Sequence, residues 1–183
     1  MSRIPTPETI SAAPAASQPL LIAVEKMLGS TPNMVRLIGN SPVTLEGYLG
    51  LNSALGKGRI SAATRERITL DIANFNGCDY CNSAHTYLGK ALAKLDDAEI
   101  AANRTGRSTD AKADAAVRFA VSVAEARGRV TAQDVAAVRN AGYSDAEVVE
   151  IVGHVALNVL TNYINEVFET EIDFPVFEAG RAA

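Results

Sequence analysis

The stretch SAATRERITLDIANFNGCDYCNSAH, residues 61–85, holds two helix starts and the turn between them. Ser61 is a good N-cap, because its hydroxyl oxygen can accept from the backbone N–H groups that a first helical turn leaves unbonded. The helix it opens runs through Arg65, Ile68 and Ile72 towards Gly77, where Asn76-Gly77 is a turn signal. A second helix then begins at Cys78. No run of alternating β-branched residues bounded by hairpin turns occurs here or elsewhere in the chain.

The same punctuation recurs on both sides. Ser41-Pro42 supplies a cap followed by proline at the first helical position, and Gly56 closes that segment. Asp96 with Glu99, and Ser144 with Glu147, have capping-box spacing. Ser108 opens a helix that Gly128 ends, and Thr131 opens one that Gly142 ends. The expectation is an all-α compact bundle of about seven or eight mostly short helices. Residues 1–18, with Pro5, Pro7 and Pro14, read as a flexible N-terminal segment ahead of a single domain at 19–183. Gly58-Arg59-Ile60-Ser61 and Gly128-Arg129-Val130-Thr131 look alike, and the simplest reading is two capped turns rather than a duplication.

The last helix, about Asp145 to Glu169, is apolar around most of its circumference. Its polar residues Glu150, His154, Asn158, Asn162 and Glu166 step by four and form one narrow ridge. A helix of this kind is usually buried in a core or an oligomer interface, so an oligomer is expected. His154 could line a pocket from this ridge, although a structural role suits its polar neighbours better.

Bulk properties bound the function. Of 183 residues, 48% are hydrophobic and 21% charged, an ordinary globular balance. Aromatics are 5% and Trp is absent, so Ala, Val, Leu and Ile must build the core. A net charge of −4 offers no basic field for nucleic acid. The N-terminus lacks the pattern of a signal peptide, and Val148 to Phe168 is too polar to span a membrane. A cytoplasmic location follows as the expectation. There, two cysteines spaced CxxC point to redox or metal chemistry rather than to a structural staple.

Cys78, Cys81 and His85 are separated by three and four residues, which puts them on one stripe of a helix. Thiols at i and i+3 lie about 5–6 Å apart at Cα, within disulfide range. A helix N-terminus also stabilises thiolate. His85 is one turn from Cys81 and two from Cys78, so it can take the Cys81 proton or hold its thiolate. That assigns Cys81 as attacking and Cys78 as resolving thiol. Three plainer readings compete: an inert buried pair, a zinc site of Cys78, Cys81, His85 and a carboxylate, and a histidine with no link to the thiols. Zinc is disfavoured because one continuous helix keeps Cys78 and His85 too far apart and no second CxxC exists. Glu66, on a ridge with Leu70, Ala73 and Gly77, either points a carboxylate at the thiols or pairs with Arg59 or Arg67 on a solvated face.

Glu66, then Cys78-Asp79-Tyr80-Cys81, then His85 resembles the pattern of the alkylhydroperoxidase D-like branch of the carboxymuconolactone decarboxylase family. Thr31-Pro32-Asn33-Met34, Asn40-Ser41-Pro42, Arg65-Glu66-Arg67-Ile68 and Asn76-Gly77-Cys78 resemble its flanking text, over about residues 20–170. The resemblance implies an all-α fold assembled as a homo-oligomer, a trimer or hexamer. It also implies a cofactor-free, metal-free antioxidant peroxidase acting on small hydroperoxides and restored by a dithiol or thiol-protein reductant. Cys81 would attack the O–O bond and become a sulfenic acid, Cys78 would close a disulfide, and Glu66 and His85 would relay the proton. Non-catalytic redox sensing by the same fold is the alternative. Tyr80 departs from the alkylhydroperoxidase D pattern, where that position is often His. A phenol can donate a hydrogen bond there but cannot shuttle protons near neutrality.

Overall fold

A computed structural model describes residues 2–177. Its centre is α4 (Ala62–Phe75), in which Ile68 to Ala73 are buried without a break. Six consecutive buried residues leave a helix no solvent face. Around it lie α1 (Gln18–Leu28), α2 (Asn33–Ile38), α3 (Pro42–Gly56), α5 (Asp79–Ala91), α6 (Asp97–Asn103), α7 (Ala111–Glu125), α8 (Ala132–Asn140) and α9 (Asp145–Phe168). A 3-10 turn at Ile10–Ala12 precedes them, and the described residues contain no strand. The fold is all-α, with nine helices among the described residues rather than seven or eight. No helix among those residues is long and apolar enough to cross a membrane.

The caps explain most boundaries. Ser41 and Ser61 accept from Thr44 N and Thr64 N, opening α3 and α4 at the expected positions. Ser144 with Glu147 forms a complete capping box, as does Thr131 with Asp134. Two readings need correction. Asp110, not Ser108, caps α7, because Ser108 Oγ donates to Glu99 instead. Asp96 caps α6, but Glu99 does not complete the box. Its carboxylate turns inward to Arg67, Asn103, Ser108 and Thr109; burial pushes its pKa up, but the bonds from Ser108, Thr109 and Asn103 outweigh this and hold it down to about 2.

α4 packs against α5, α6, α7 and α9. The main core joins Ile68 and Ile72 to Val117, Phe119 and Val123 of α7, Val138 of α8, and Ile151 and Val155 of α9. Ala116 and Ala120 of α7 are fully buried, and such short side chains let helices approach closely. A second core, with Leu21, Val24, Val35, Ile38 and Leu45, holds α1 to α3. Each such aliphatic side chain contributes about 1.5–3 kcal/mol on burial. Residues 2–17, expected as a flexible extension, lie against the domain. Arg3 N donates to Phe168 O at 2.7 Å and Ser17 Oγ to Gly39 O at 2.7 Å.

The two look-alike turns prove physically different. Gly58 has an ordinary φ, but a Cβ there would meet Glu150 Oε2 at 2.6 Å. Glu150 uses that space to accept from Arg59 N and Ile60 N. Gly128 instead has φ +80, a left-handed conformation that favours glycine. The middle of the polar ridge of α9 faces the protein, while Glu166 at its end is exposed. His154, Asn158 and Asn162 are buried on it, while Val149, Leu160, Tyr163 and Val167 are exposed on the opposite side.

Candidate active site

The α4–α5 turn brings the chemistry together. Gly77 adopts φ +70, and Cys78 N donates to Ala73 O at 2.9 Å, so the chain reverses at once into α5. The two helices therefore run back alongside each other. Glu66 lies ten residues before the turn and His85 seven after it, so they reach similar heights and meet: Glu66 Oε2 is 2.8 Å from His85 Nδ1. Arg67, its neighbour, pairs with Glu99 instead. His85 is partly buried, which disfavours its charge. The Glu66 carboxylate more than offsets this and raises the imidazole pKa above its ordinary value.

Cys78 takes the N-cap place usually filled by Ser, Thr or Asp, and its Sγ accepts from Cys81 N at 3.3 Å. The Cys78 thiol donates to Cys81 Sγ at 2.7 Å. That bond raises the Cys78 pKa, with burial and the Cys81 charge adding to it. Burial also pushes Cys81 up, but the Cys78 donor, the His85 charge and the amides of Asn165 and Asn162 outweigh it and leave Cys81 lowered. One sulfur is therefore poised as thiolate and the other as thiol. Both cysteines are free and buried, 0% and 3% exposed.

α9 supplies partners for these sulfurs that reading along the sequence did not identify. Asn165 Nδ2 donates to Cys81 Sγ at 3.2 Å, and Asn76 Nδ2 fixes Asn162 through its Oδ1 at 2.8 Å. Glu166 lies close enough to Cys78 for its charge to act on that thiol and raise its pKa. Among the described residues, the direct hydrogen-bond partners of Cys81 Sγ are Cys78 and Asn165; His85 acts on it through charge. Tyr48 of α3 is also near enough to feel Cys81. Burial first, then that charge, pushes its phenol up to about 12. The signal for the α9 residues was present as polar residues along an apolar helix, but nothing local says what the ridge faces.

Tyr80 is not part of the relay geometry. Its hydroxyl donates to Asp173 Oδ1 at 2.8 Å and accepts from Met34 N at 3.2 Å, and its ring meets Phe174 edge-on. The chain leaves α9 through Glu169 at φ +48, then Thr170 to Phe177 returns as a strap across the site. Ile172 and Phe174 of this strap pack with Met34 on the cluster that contains both cysteines. Asn33 N to Asp173 and Phe177 N to Ser83 Oγ fasten it further. His154 lies eleven residues from Asn165 along α9, about 16 Å by helix rise, so it does not line this site. Burial lowers its pKa to about 4, with Arg65 adding to the effect. A cleft of about 470 Å³ near Ser2, Arg36 and Glu171 contains neither cysteine. Among the described residues, no group of three or more His, Cys, Asp and Glu is placed to hold a metal ion.

A sequence model of the carboxymuconolactone decarboxylase family matches residues 42–126, a span that includes Glu66, Cys78, Cys81 and His85. Solved structures place the whole fold beside it. An uncharacterized peroxidase-related protein of Ralstonia eutropha, with an alkylhydroperoxidase AhpD core, is 24% identical with a TM-score of 0.83, covering 94% of this chain and 92% of that one. A peroxidase-related protein of Silicibacter is 19% identical with a TM-score of 0.80, covering 93% and 91%. The debrominase Bmp8 is 22% identical with a TM-score of 0.75, covering 92% and 91%. These likenesses establish an AhpD-like fold for this chain. No curated protein matches its sequence.

Proposed function

We propose that this chain is a thiol-dependent peroxidase that reduces small hydroperoxides with Cys81 as nucleophile. The observation that carries the reading is the division of the proton within the pair, Cys78 donating to Cys81 at 2.7 Å beside the Glu66–His85 couple. The Cys81 thiolate attacks the terminal peroxide oxygen and the O–O bond breaks. Cys81 becomes a sulfenic acid, and the departing alkoxide takes a proton from the His85 imidazolium, which regains one by way of Glu66. Cys78 then attacks the Cys81 sulfur, its proton and the sulfenic OH leave as water, and a disulfide remains. A dithiol or thiol-protein reductant donates two electrons and two protons to reopen it. This cycle needs a reducing compartment, and the cytoplasm is the proposed location. The strap covers the sulfurs, so a substrate reaches Cys81 when Thr170 to Phe177 moves aside.

The test is hydroperoxide consumption with excess dithiol. Cys81→Ser should abolish it, and Cys78→Ser should halt after one equivalent with a trappable sulfenic acid. Parent-like turnover by both variants would rule the assignment out. One observation favours a second reading, redox sensing: Tyr80, next to Cys81, is bonded directly to the strap. A sensor would consume one equivalent of peroxide and shift its strap or assembly, without sustained turnover.

A further inference from the structure

α9 crosses the cysteine pair with two adjacent polar residues, one hydrogen-bonded to Cys81 and the other acting by its charge on Cys78. Asn165 Nδ2 donates to Cys81 Sγ at 3.2 Å. Its own Oδ1 is buried with no hydrogen-bond partner among the described residues. A buried amide with an unsatisfied oxygen is a poor choice for packing alone, since a buried acceptor without a partner loses its hydration with nothing in return. Glu166, one residue on, is exposed and lies close enough to Cys78 for its charge to act on that thiol. The environment of the pair is thus polarised: an amide donor from α9 stands at Cys81 and a carboxylate from α9 lies near Cys78.

We propose that Asn165 and Glu166 decide which cysteine attacks and which resolves, Asn165 by donating to the Cys81 thiolate and Glu166 by taking the Cys78 proton. This rests on Cys81 being the nucleophile. While Cys81 is a thiolate, the Cys78 thiol donates to Cys81 Sγ. Once Cys81 is oxidised, its sulfur no longer accepts that proton, and Cys78 S–H turns to the carboxylate. Glu166 takes the proton as Cys78 attacks Cys81, then returns it to the leaving group. Protons and electrons balance without another reagent. Asn162, fixed by Asn76, supports the donor side.

Rapid mixing with dithiodipyridine tests both halves and does not require the protein to reduce peroxide. Cys81 attacks the probe and releases one pyridinethione, then Cys78 attacks the mixed disulfide and releases the second. The first phase reads the Cys81 thiolate and the second reads proton loss from Cys78. Asn165→Leu should raise the pH midpoint of the first phase by about one unit, slowing it about tenfold near neutrality. Asn165→Asp, isosteric and anionic, should raise it at least as far. Glu166→Gln should leave the first phase alone and slow the second about tenfold. Unchanged midpoints in both Asn165 variants would overturn the donor role. An unchanged second phase in Glu166→Gln would overturn the acceptor role. Equal slowing of both phases in every variant, with a fallen melting temperature, would indicate packing alone and overturn both.

Discussion

Glu66 Oε2 and His85 Nδ1 stand 2.8 Å apart, joining two helices across the turn Asn76 to Cys78. The carboxylate stabilises imidazolium, and the imidazolium in turn favours the Cys81 thiolate one turn away. Activity therefore has a pH window, open above the lowered Cys81 pKa and closing as His85 deprotonates above its raised one.

Glu66→Gln should narrow that window from both sides. Without the carboxylate, His85 loses its proton at lower pH and Cys81 gains its proton at higher pH. Peroxide consumption near neutrality should fall by about 10- to 100-fold, with loss of charge rather than of fold. A pH–rate profile superimposable on that of the parent would remove Glu66 from the relay.

Tyr80→Phe should free the strap while leaving the thiols unchanged. It deletes the hydrogen bonds to Asp173 and from Met34, at a cost of about 1–2 kcal/mol. The expected result is a lower melting temperature with faster alkylation of Cys81, because the cover opens more often. Slower alkylation would place Tyr80 in the chemistry instead of the fastening.

Asp71 predicts the alkaline behaviour of the fold. It is buried in α4 with Oδ2 unpartnered, and burial raises its pKa to about 8 although a Gly106 backbone bond opposes this. The folded state keeps this proton above the unfolded pKa of about 4, whereas the unfolded chain releases it. Its contribution is complete below that unfolded value and is lost as pH rises through about 8. Parent melting temperature should drop between pH 5 and pH 8, by roughly 3–5 kcal/mol of stability at most. Asp71→Asn cannot ionise and should flatten that slope. Identical slopes would mean that the carboxyl reaches solvent.

The outer face of α9 carries Val149, Val152, Ala156, Leu160, Tyr163 and Val167 at steps of three or four residues. All six are exposed, and this spacing is the seam a second helix packs against. A homo-oligomer formed through this stripe is the assembly it favours. Leu160→Glu with Tyr163→Glu should reduce the mass found by light scattering and leave helix content intact. An unchanged mass would move the interface elsewhere.

Local signals made much of this legible before any coordinates. The N-caps Ser41, Ser61 and Ser144 act on N–H groups within three residues, and helix period alone puts Cys78, Cys81 and His85 on one stripe. Neighbouring chain atoms supply both the donors and the geometry in these cases, so residue order suffices. Packing decided the rest. Asn165 meets Cys81 across 84 residues, Asn76 meets Asn162 across 86, and Tyr80 meets Asp173 across 93. Those contacts depend on which face α9 turns to α4 and α5 and on where the strap returns. Such choices come from the summed burial of the whole core, which no short stretch of residues encodes.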